Sequence, residues 1–280
     1  MQLKGLINNG NTCFLDAALQ MLTSNTDFCN TIIANRHVSP NLQIMADFIK
    51  EYYNNDCNPI SPHAVKLFVE NINNIFKGNQ QHDAGEFVIS ILDILNDDLQ
   101  NRLNNIYGIT IKSTIKCKRL ICLNKTYTNE RTNILSLQIN NEDNELDDCY
   151  TKFKSREKLI DDEAYFCEKC NKKGYASKRL EVNEWSQHLI IMLKRFQNIN
   201  GRLSKINQDI EIPLEWRRNF KIKGAIIHSG SINGGHYIYI SKNNTRNNWD
   251  ECDDRNIRSI TNIQAENMLR KAYIIYYSQN

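Results

Sequence analysis

The chain has 280 residues, of which 41% are hydrophobic, as is ordinary for one large globular domain or two small ones. Its net charge of +3 comes from interspersed basic and acidic residues, which argues against a nucleic-acid-binding protein. No apolar run approaches the roughly 20 residues of a membrane span, and Met1–Gly5 begins no signal sequence, so we expect an intracellular protein of the cytoplasm or nucleus without a membrane anchor.

The first hundred residues are predicted to be mainly helical. Apolar residues recur at helical spacing over 14–24, and Asn11 and Thr12 stand where a helix N-terminus is commonly capped. Further helices are expected over 43–53 and about 83–102. The apolar face of the third predicted helix consists of Ala84, Val88, Ile91, Leu92, Leu95 and Leu99.

After Gly108 the pattern becomes that of β-structure, rich in β-branched and aromatic residues. The predicted strands are 109–111, 113–116, 134–139, 189–193, 210–212, 221–228, 237–241 and 272–277. A loop over 141–148 and a short helix near 147–157 interrupt them. The sequence therefore predicts an α+β fold, with a cleft between its two parts as a natural place for a site.

Nine cysteines is a high count, and the odd number with no signal sequence argues against a disulfide framework. Four of them form two close pairs, Cys117 with Cys122 and Cys167 with Cys170. The other five stand alone: Cys13, Cys29, Cys57, Cys149 and Cys252. A free cysteine is commonly a small buried hydrophobic residue, so four of these five need no special role. Cys13 has the unusual surroundings.

Three features together are typical of nucleophilic catalysis. Cys13 stands at the start of the 14–24 helix, where the helix dipole favours a thiolate by about 0.3–1 kcal/mol. His236 follows two glycines and leads into a strand, from which an imidazole could reach the thiol as a base. Asp253 and Asp254 follow on the next strand or turn and could fix the tautomer of that histidine. Each feature alone also has a structural explanation: a buried thiol, an ordinary strand histidine and a solvated acidic turn.

Six segments, in order, resemble the motifs of ubiquitin-specific proteases. They are the Cys box at 5–20, QQHDAGEF at 80–87, LKRF at 193–196, the His box at 228–230 and 234–237, and the closing segments at 249–254 and 272–277. Each motif alone could arise by chance, whereas six in family order argue against coincidence. The resemblance implies a papain-like α+β fold with a helical thumb (about 1–108), β fingers (about 109–187) and a β palm (about 188–280).

The resemblance also implies roles for single residues. Cys13 would be the nucleophile, His236 its general base and Asp253, four residues after Trp249, the orienting acid. Asn8, five residues before Cys13, stands where the family has its oxyanion-stabilising side chain. The backbone N–H of Cys13 would be a second oxyanion donor.

The implied activity is that of a deubiquitinase, which hydrolyses the bond after the C-terminal glycine of ubiquitin through a thioester on Cys13. Its partners would be ubiquitin and ubiquitinated proteins, with no nucleic acid and no membrane, and we expect a monomer. Asp83 and Glu86 could accept hydrogen bonds from the ubiquitin tail. The residues implied to bind that tail are Gln81, Asp83, Glu86, Phe87, Gly235 and Tyr237.

Three positions depart from the family pattern. Asp16 replaces an asparagine and brings a negative charge close to Cys13, which would raise the thiol pKa unless Asp16 is paired or exposed. Gly85 replaces a histidine of the second box, in which His82 is extra. Cys252 replaces an aromatic residue, so looser packing is expected around Asp253. No catalytic member is lost, and activity is expected.

The cysteine pairs resemble the ligands of a structural zinc in the fingers of this family. Cys167 and Cys170 have the two-residue spacing of a zinc knuckle, and Cys117 and Cys122 have four residues between them. The family usually has two residues in the first pair as well, so either the loop is longer and zinc is retained, or one ligand is lost. Four thiolates leave no open position, so such a zinc would stiffen the fingers and take no part in catalysis.

Two alternatives remain open on the sequence. One is a catalytically weak ubiquitin-binding module, which the substitutions Asp16 and Cys252 motivate. The other is a protease for a different ubiquitin-like modifier, because a channel selective for glycine suits several such tails. An acyltransferase would leave the tail channel and the fingers unexplained.

Overall fold

The computed structural model describes residues 3–56, 58–199, 201–231, 234–243 and 245–279, and Cys57 lies outside this part. Within it the α-helices are α1 (Cys13–Thr23), α2 (Thr26–Ala34), α3 (Pro40–Tyr52), α4 (His63–Ile72), α5 (Ala84–Asp98), α6 (Leu146–Phe153) and α7 (Asn262–Leu269). Short 3-10 turns are Asn74–Phe76, Arg102–Asn105 and Asp161–Glu163. None of the described helices is long and apolar enough to cross a lipid bilayer.

The strands are β1 (Ile109–Cys117), β2 (Lys125–Thr132), β3 (Ile134–Gln138), β4 (Arg156–Leu159), β5 (Tyr165–Cys167), β6 (Lys172–Gly174), β7 (Ala176–Glu184), β8 (His188–Lys194), β9 (Phe196–Ile199), β10 (Arg202–Lys205), β11 (Glu215–Trp216), β12 (Phe220–Ser231), β13 (Gly234–Asn243), β14 (Asn248–Asp253), β15 (Asn256–Ile260) and β16 (Ala272–Ser278). The large sheet has the order β15-β14-β13-β12-β16-β8-β3, with β11 beside β12. The small sheet has the order β2-β1-β7-β4, and β5–β6 and β9–β10 are two-stranded.

Helix α1 is the centre of the helical part, because all of its residues are buried. It packs against α5 on one side and against β13 of the large sheet on the other. The helices expected over 14–24, 43–53 and 83–102 are confirmed as α1, α3 and α5. Helix α5 ends earlier than expected, at Asp98, because Gln100 and Asn101 adopt positive φ angles that stop the helix.

The large sheet separates two apolar clusters, one on each face. Strand alternation explains the division, since Ile226 of β12 points to the cluster with the helices while its neighbours Ala225 and Ile227 point to the other. Strand β8 contributes to both clusters in the same way. The continuous apolar run at 189–193 is therefore buried on both faces, as the sequence predicts.

Several predicted elements are corrected by the structure. The helix expected near 147–157 ends at Phe153, because residues from Arg156 onward form β4 and pair with β7. The strand expected over 210–212 is absent from the described structure beyond an isolated bridge at Glu211, although its isoleucines are buried. The segments 109–111 and 113–116 form one strand, β1. Strand β2 was not predicted, because its residues are nearly all exposed and show no apolar alternation.

Candidate active site

Cys13 is the first residue of α1 and is only 4% exposed, at the edge of a cleft. Burial raises the pKa of its thiol, and the negative charge of Asp254, and of Asp16 when it is ionised, acts in the same direction. The backbone N–H groups of Tyr237 and Phe14 oppose this rise by stabilising the thiolate. In the free chain the neutral thiol is therefore favoured, and its reaction needs a base.

His236 lies on β13 directly opposite Ser229 of β12 and next to β14 in the sheet. Its Nε2 lies 2.6 Å from Oδ1 of Asp253, the last residue of β14, and both side chains are 43% exposed. A carboxylate accepts hydrogen bonds, so Asp253 selects the tautomer that carries the proton on Nε2. Nδ1 is then unprotonated and can act as a base.

Asn8 lies in the loop before α1, where its side chain is held in one orientation. Its Oδ1 accepts hydrogen bonds from the backbone N–H groups of Gly10 and Thr12, both at 3.1 Å. Its Nδ2 donates to Oδ2 of Asp254 at 2.8 Å. The amide therefore has one further N–H, and the backbone N–H of Cys13, in the first turn of α1, has no intrahelical acceptor. These two donors can serve an oxyanion.

The cleft has a volume of about 500 Å³ and separates the start of α5 from the β12–β13 hairpin. Gln81 joins the two sides, because its amide Nε2 donates to the carbonyl of Gly235 at 3.1 Å and its Oε1 accepts from the N–H of Gly235 at 3.0 Å. The residues that line the cleft are Cys13, Gln81, His82, Asp83, Glu86, Ile89, Met192, Phe196, His228, Ser231, Gly234, Gly235, Tyr237 and Tyr273.

Asp83 caps the N-terminus of α5 and also binds two tyrosines. Its Oδ1 accepts from the backbone N–H of Glu86 at 2.9 Å and from the hydroxyl of Tyr273 at 2.7 Å. Its Oδ2 accepts from the hydroxyl of Tyr237 at 3.1 Å. These internal contacts occupy the carboxylate, so Asp83 shapes the wall of the cleft and Glu86 is the exposed acceptor.

Five of the six predicted tail-binding residues line the cleft, and the sixth, Phe87, lies in the core. Gln81, Asp83, Glu86, Gly235 and Tyr237 all line the cleft. Phe87 does not, because it is 1% exposed and contacts the rings of two other buried phenylalanines, Phe14 and Phe76. It supports the cleft from the core.

The departure at Gly85 has a steric reason. A Cβ atom at this position would lie 2.5 Å from the hydroxyl of Tyr273 and 2.6 Å from Sδ of Met192. The space that a side chain would need is therefore filled by these two residues. Cys252 is 2% exposed and lies in the core opposite Tyr239 of β13. The neighbouring Asp253 keeps a short contact with His236.

The four paired cysteines meet at the far end of the small sheet, where β1 ends next to the turn of the β5–β6 hairpin. The sulfur atoms of Cys117, Cys122, Cys167 and Cys170 all lie within 4.8 Å of one another. A tetrahedral zinc site with Zn–S bonds of about 2.3 Å separates its sulfurs by about 3.8 Å. The four thiols therefore fit a metal ion, and the longer first loop still brings Cys122 into the cluster.

Sequence reasoning missed two contacts of the site. Tyr273 lies in the closing segment 272–277 that carries the family resemblance, but nothing in that segment indicates that its hydroxyl reaches Asp83. Asp254 stands beside the orienting acid in the sequence, and only the structure shows that it binds Asn8. Both contacts join residues far apart in the chain.

Comparison with known proteins agrees with this geometry. Residues 4–277 match the family model described as "Ubiquitin carboxyl-terminal hydrolase". Over 98% of its length the chain is 25% identical to ubiquitin carboxyl-terminal hydrolase 4 of Vanderwaltozyma polyspora and 27% identical to ubiquitin carboxyl-terminal hydrolase 16 of Arabidopsis thaliana. It spans 40% and 30% of the lengths of those two relatives.

Solved structures share the fold. The SAGA Ubp8/Sgf11/Sus1/Sgf73 DUB module bound to ubiquitin aldehyde superposes with a TM-score of 0.81 at 24% identity, over 99% of this chain and 69% of the matched chain. The same module bound to monoubiquitin gives a TM-score of 0.79 at 25% identity, with the same coverage. The α+β, papain-like fold expected from the motifs is thus confirmed. With a family match that runs from residue 4 to residue 277, this chain belongs to the ubiquitin carboxyl-terminal hydrolase family, the ubiquitin-specific proteases.

Proposed function

We propose that this chain is a deubiquitinase that cleaves the bond after the C-terminal glycine of ubiquitin by thiol chemistry. One observation carries the proposal: a buried helix N-terminus presents Cys13 to a cleft, next to a strand whose His236 is already bound through Nε2 to Asp253. Family membership supports the same reaction. We propose the same activity, on ubiquitinated substrates, for any longer protein that contains this domain.

The reaction would proceed in two steps. His236 Nδ1 takes the proton of Cys13, and the thiolate sulfur attacks the carbonyl carbon of the terminal glycine. The resulting oxyanion accepts hydrogen bonds from Asn8 Nδ2 and from the N–H of Cys13. The histidine then gives its proton to the leaving amine, which leaves a thioester on Cys13. Water, deprotonated by the same histidine, attacks that thioester; the C–S bond breaks, the ubiquitin carboxylate is released, and the proton on the histidine returns to the sulfur of Cys13.

The ubiquitin tail would lie in the cleft as an extended chain. Glu86 presents its carboxylate to the cleft as an acceptor for backbone amides, and partial desolvation by the cleft wall, together with the nearby Asp83, raises its pKa. Gly235 closes the opposite wall so tightly that an added Cβ would lie 2.1 Å from the His228 ring. A side chain at Gly235 would therefore displace His228, and the final Gly-Gly of the ubiquitin tail would lie against this wall.

The cysteine cluster would hold a structural zinc ion through Cys117, Cys122, Cys167 and Cys170. The distances between their sulfur atoms fit tetrahedral coordination, and the backbone N–H of Cys170 donates to the sulfur of Cys167, a contact that stabilises a thiolate ligand. Bound there, zinc would fix the end of the small sheet. The eight cysteines that the structure describes are free thiols, which fits a reducing intracellular compartment.

The division into thumb (about 1–108), fingers (about 109–187) and palm (about 188–280) remains a proposal. The helices before Gly108 and the small sheet after it support the first boundary. Strand β3 belongs by number to the fingers, yet it pairs with β8 in the large sheet. The fingers would thus be an excursion from the palm, entered and left through this sheet.

The oligomeric state is proposed to be monomeric, with ubiquitin as the partner. The solved Ubp8 chains are in modules with Sgf11, Sus1 and Sgf73, so a targeting partner for this chain would be tested separately. Size-exclusion chromatography with light scattering, with and without ubiquitin, measures the state directly. A mass of two chains in the absence of ubiquitin would overturn the monomer.

A ubiquitin probe with an electrophile at its C-terminus tests the proposed function. We expect wild type to be labelled and to hydrolyse a fluorogenic ubiquitin amide, while Cys13→Ala does neither and His236→Ala has no turnover. Cys29→Ser, at another buried cysteine, is the matched control and should be labelled like wild type. Failure of folded wild type to react would favour a binding module. Reaction with a different modifier in a panel of ubiquitin-like probes would change the substrate class.

A further inference from the structure

The departure at Asp16 creates a buried carboxyl pair beside the nucleophile. We propose that Asp16 is a positioning residue: as a neutral carboxylic acid it donates a hydrogen bond to Asp254, which in turn holds the side chain of Asn8 for the oxyanion. The inference rests on the proposed function and names a residue through which that function would be controlled by pH.

Asp16 and Asp254 each have one buried carboxylate oxygen without a hydrogen-bond partner among the described residues. Asp16 lies one turn after Cys13 on α1 and is 2% exposed. Its Oδ2 accepts a hydrogen bond from the Thr12 hydroxyl at 3.4 Å, while its Oδ1 is buried and has no partner among the described residues. Oδ1 of Asp254 is likewise buried and unpartnered. The two carboxyl groups are within hydrogen-bonding range of each other, so a proton on Asp16 can be donated to Asp254.

The surrounding charges favour that proton. The titratable groups near Asp16 are Asp254 on the turn after β14 and Cys13 on its own helix, with His236 and Asp253 grouped around Asp254. Neither Asp16 nor Asp254 forms an ion pair with a lysine or arginine in the described part of the chain. Burial raises the pKa of Asp16 well above its usual range, and the neighbouring charge of Asp254 raises it further.

Asp254 links the carboxyl pair to Asn8, the proposed oxyanion donor. Oδ2 of Asp254 accepts from Nδ2 of Asn8 at 2.8 Å, and the backbone carbonyl of Asp254 accepts from the N–H of Leu6 at 2.8 Å. The line Asp16–Asp254–Asn8 therefore connects α1 with the loop before it through the turn after β14. A neutral Asp16 also adds no negative charge beside the Cys13 thiolate.

This arrangement makes a specific prediction at high pH. When Asp16 loses its proton, two carboxylates face each other in a buried space, and their repulsion withdraws Asp254 from Asn8. Turnover of wild type should then fall on the alkaline side. Asp16→Asn keeps an N–H donor for Asp254 and cannot ionise, so the ratio of its kcat to that of wild type should rise with pH. Asp16→Ala supplies no donor and should lose about tenfold or more in kcat, with a smaller change in KM.

The experiment is a set of pH profiles of kcat and KM with a fluorogenic ubiquitin amide, from about pH 6 to about pH 10. An alkaline decline in wild type that Asp16→Asn removes supports the inference, whereas profiles of the two proteins that superimpose after normalisation overturn it. Asp254→Ala removes the shared partner, so adding Asp16→Asn in that background should change the alkaline limb no further. An unchanged effect of Asp16→Asn in that background would show that it acts elsewhere.

A measurement independent of activity separates this inference from the proposed function. Infrared difference spectra between wild type and Asp16→Asn should show the carbonyl band of a protonated carboxylic acid at neutral pH. Absence of that band overturns the inference whether or not the protein turns over ubiquitin. Presence of the band in a protein without any turnover would instead retain the carboxyl pair and overturn the deubiquitinase proposal.

Discussion

At the scale of single residues, the roles in this site depend on which polar atoms are already in use. Asp83 has the residue type to bind a peptide amide, but the hydroxyls of Tyr237 and Tyr273 and its own helix N-terminus occupy it. Asn8 keeps one N–H beyond its contact with Asp254. The residue type indicates a possible role, but the donors and acceptors that are still free in the structure determine whether the side chain can fill it.

Asn8→Ala should lower kcat about 10²- to 10³-fold while leaving ubiquitin affinity nearly unchanged, because an oxyanion donor acts on the transition state. Steady-state kinetics gives the first quantity, and binding of ubiquitin to the Cys13→Ala and Asn8→Ala/Cys13→Ala proteins gives the second. Asn9→Ala is the matched control, since among the described residues its exposed side chain bonds only Ser61. Equal losses in turnover and affinity would make Asn8 a structural residue.

Gly85→Ala should destabilise the fold by about 1–3 kcal/mol, because the new methyl group overlaps Tyr273 and Met192. Urea unfolding measures the change. Gly234→Ala provides the control, since a Cβ there would meet no atom of the described residues nearer than Gln81 Oε1 at 3.5 Å. Equal stability of Gly85→Ala and wild type would mean that the tyrosine moves aside at no cost.

At the scale of elements, the site is held where the start of α5 meets β13. Two hydrogen bonds join Gln81 to Gly235, and Asp83 adds bonds to Tyr237 of the same strand and Tyr273 of β16. These contacts connect the helical part to the large sheet across the cleft. The position of the helix therefore sets the width of the channel.

Asp83→Ala should cost about 2–4 kcal/mol of unfolding free energy, because α5 loses its N-cap and two largely buried hydroxyls lose their acceptor. Chemical denaturation compares it with wild type. Asp93→Ala, on an exposed position of the same helix, should change stability by no more than about 0.5 kcal/mol. A loss at Asp83 no greater than that control would show that the cap and the tyrosine contacts are dispensable.

The end of the small sheet gives a second prediction at this scale. Purified wild type should contain one zinc ion per chain by mass spectrometry of the metal, and Cys117→Ser should contain much less, because one of four thiolate ligands is lost. Cys149→Ala is the control, since this thiol is buried in the core away from the cluster. Metal-free wild type, or full occupancy in Cys117→Ser, would contradict the zinc assignment.

At the scale of the whole molecule, one sheet with an apolar cluster on each face couples the site to global stability. His228 of β12 shows this coupling, because it is 8% exposed beside the cleft and contacts the ring of Tyr237 at 4.5 Å between centroids. Burial, together with the nearby positive charge of Lys205, lowers the pKa of His228 to about 4. The folded state therefore excludes a proton that the unfolded chain binds.

Acidification should accordingly destabilise the fold. Above a pH of about 6.5, His228 is neutral in both states; as the pH falls from there towards 4, only the unfolded chain gains the proton, which costs up to about 3 kcal/mol. Unfolding free energies measured across this window should fall less steeply for His228→Gln than for wild type. His63→Gln, at an exposed histidine, should keep the wild-type slope. Parallel slopes for wild type and His228→Gln would contradict the prediction.

The sequence by itself determined the features that depend on local order. Helical spacing located α1 and α5, the apolar run located β8, and the motifs identified Cys13, His236 and the family. Such features follow from the side-chain periodicity and capping preferences of neighbouring residues, which are encoded within a few turns of chain. For the same reason the nearly fully exposed β2, with no apolar face, escaped prediction.

Tertiary structure alone decided the contacts between residues far apart in the chain. The pairing of β13 with β14 places Asp253 on His236 and leaves Asp254 for Asn8, a residue 246 positions away. The tertiary structure also brings Asp16, whose negative charge the sequence analysis expects to raise the Cys13 pKa, next to Asp254 as a carboxyl pair. Strand register determines which atoms come into contact, and burial determines which side chains stay ionised. Neither is a property of the local sequence.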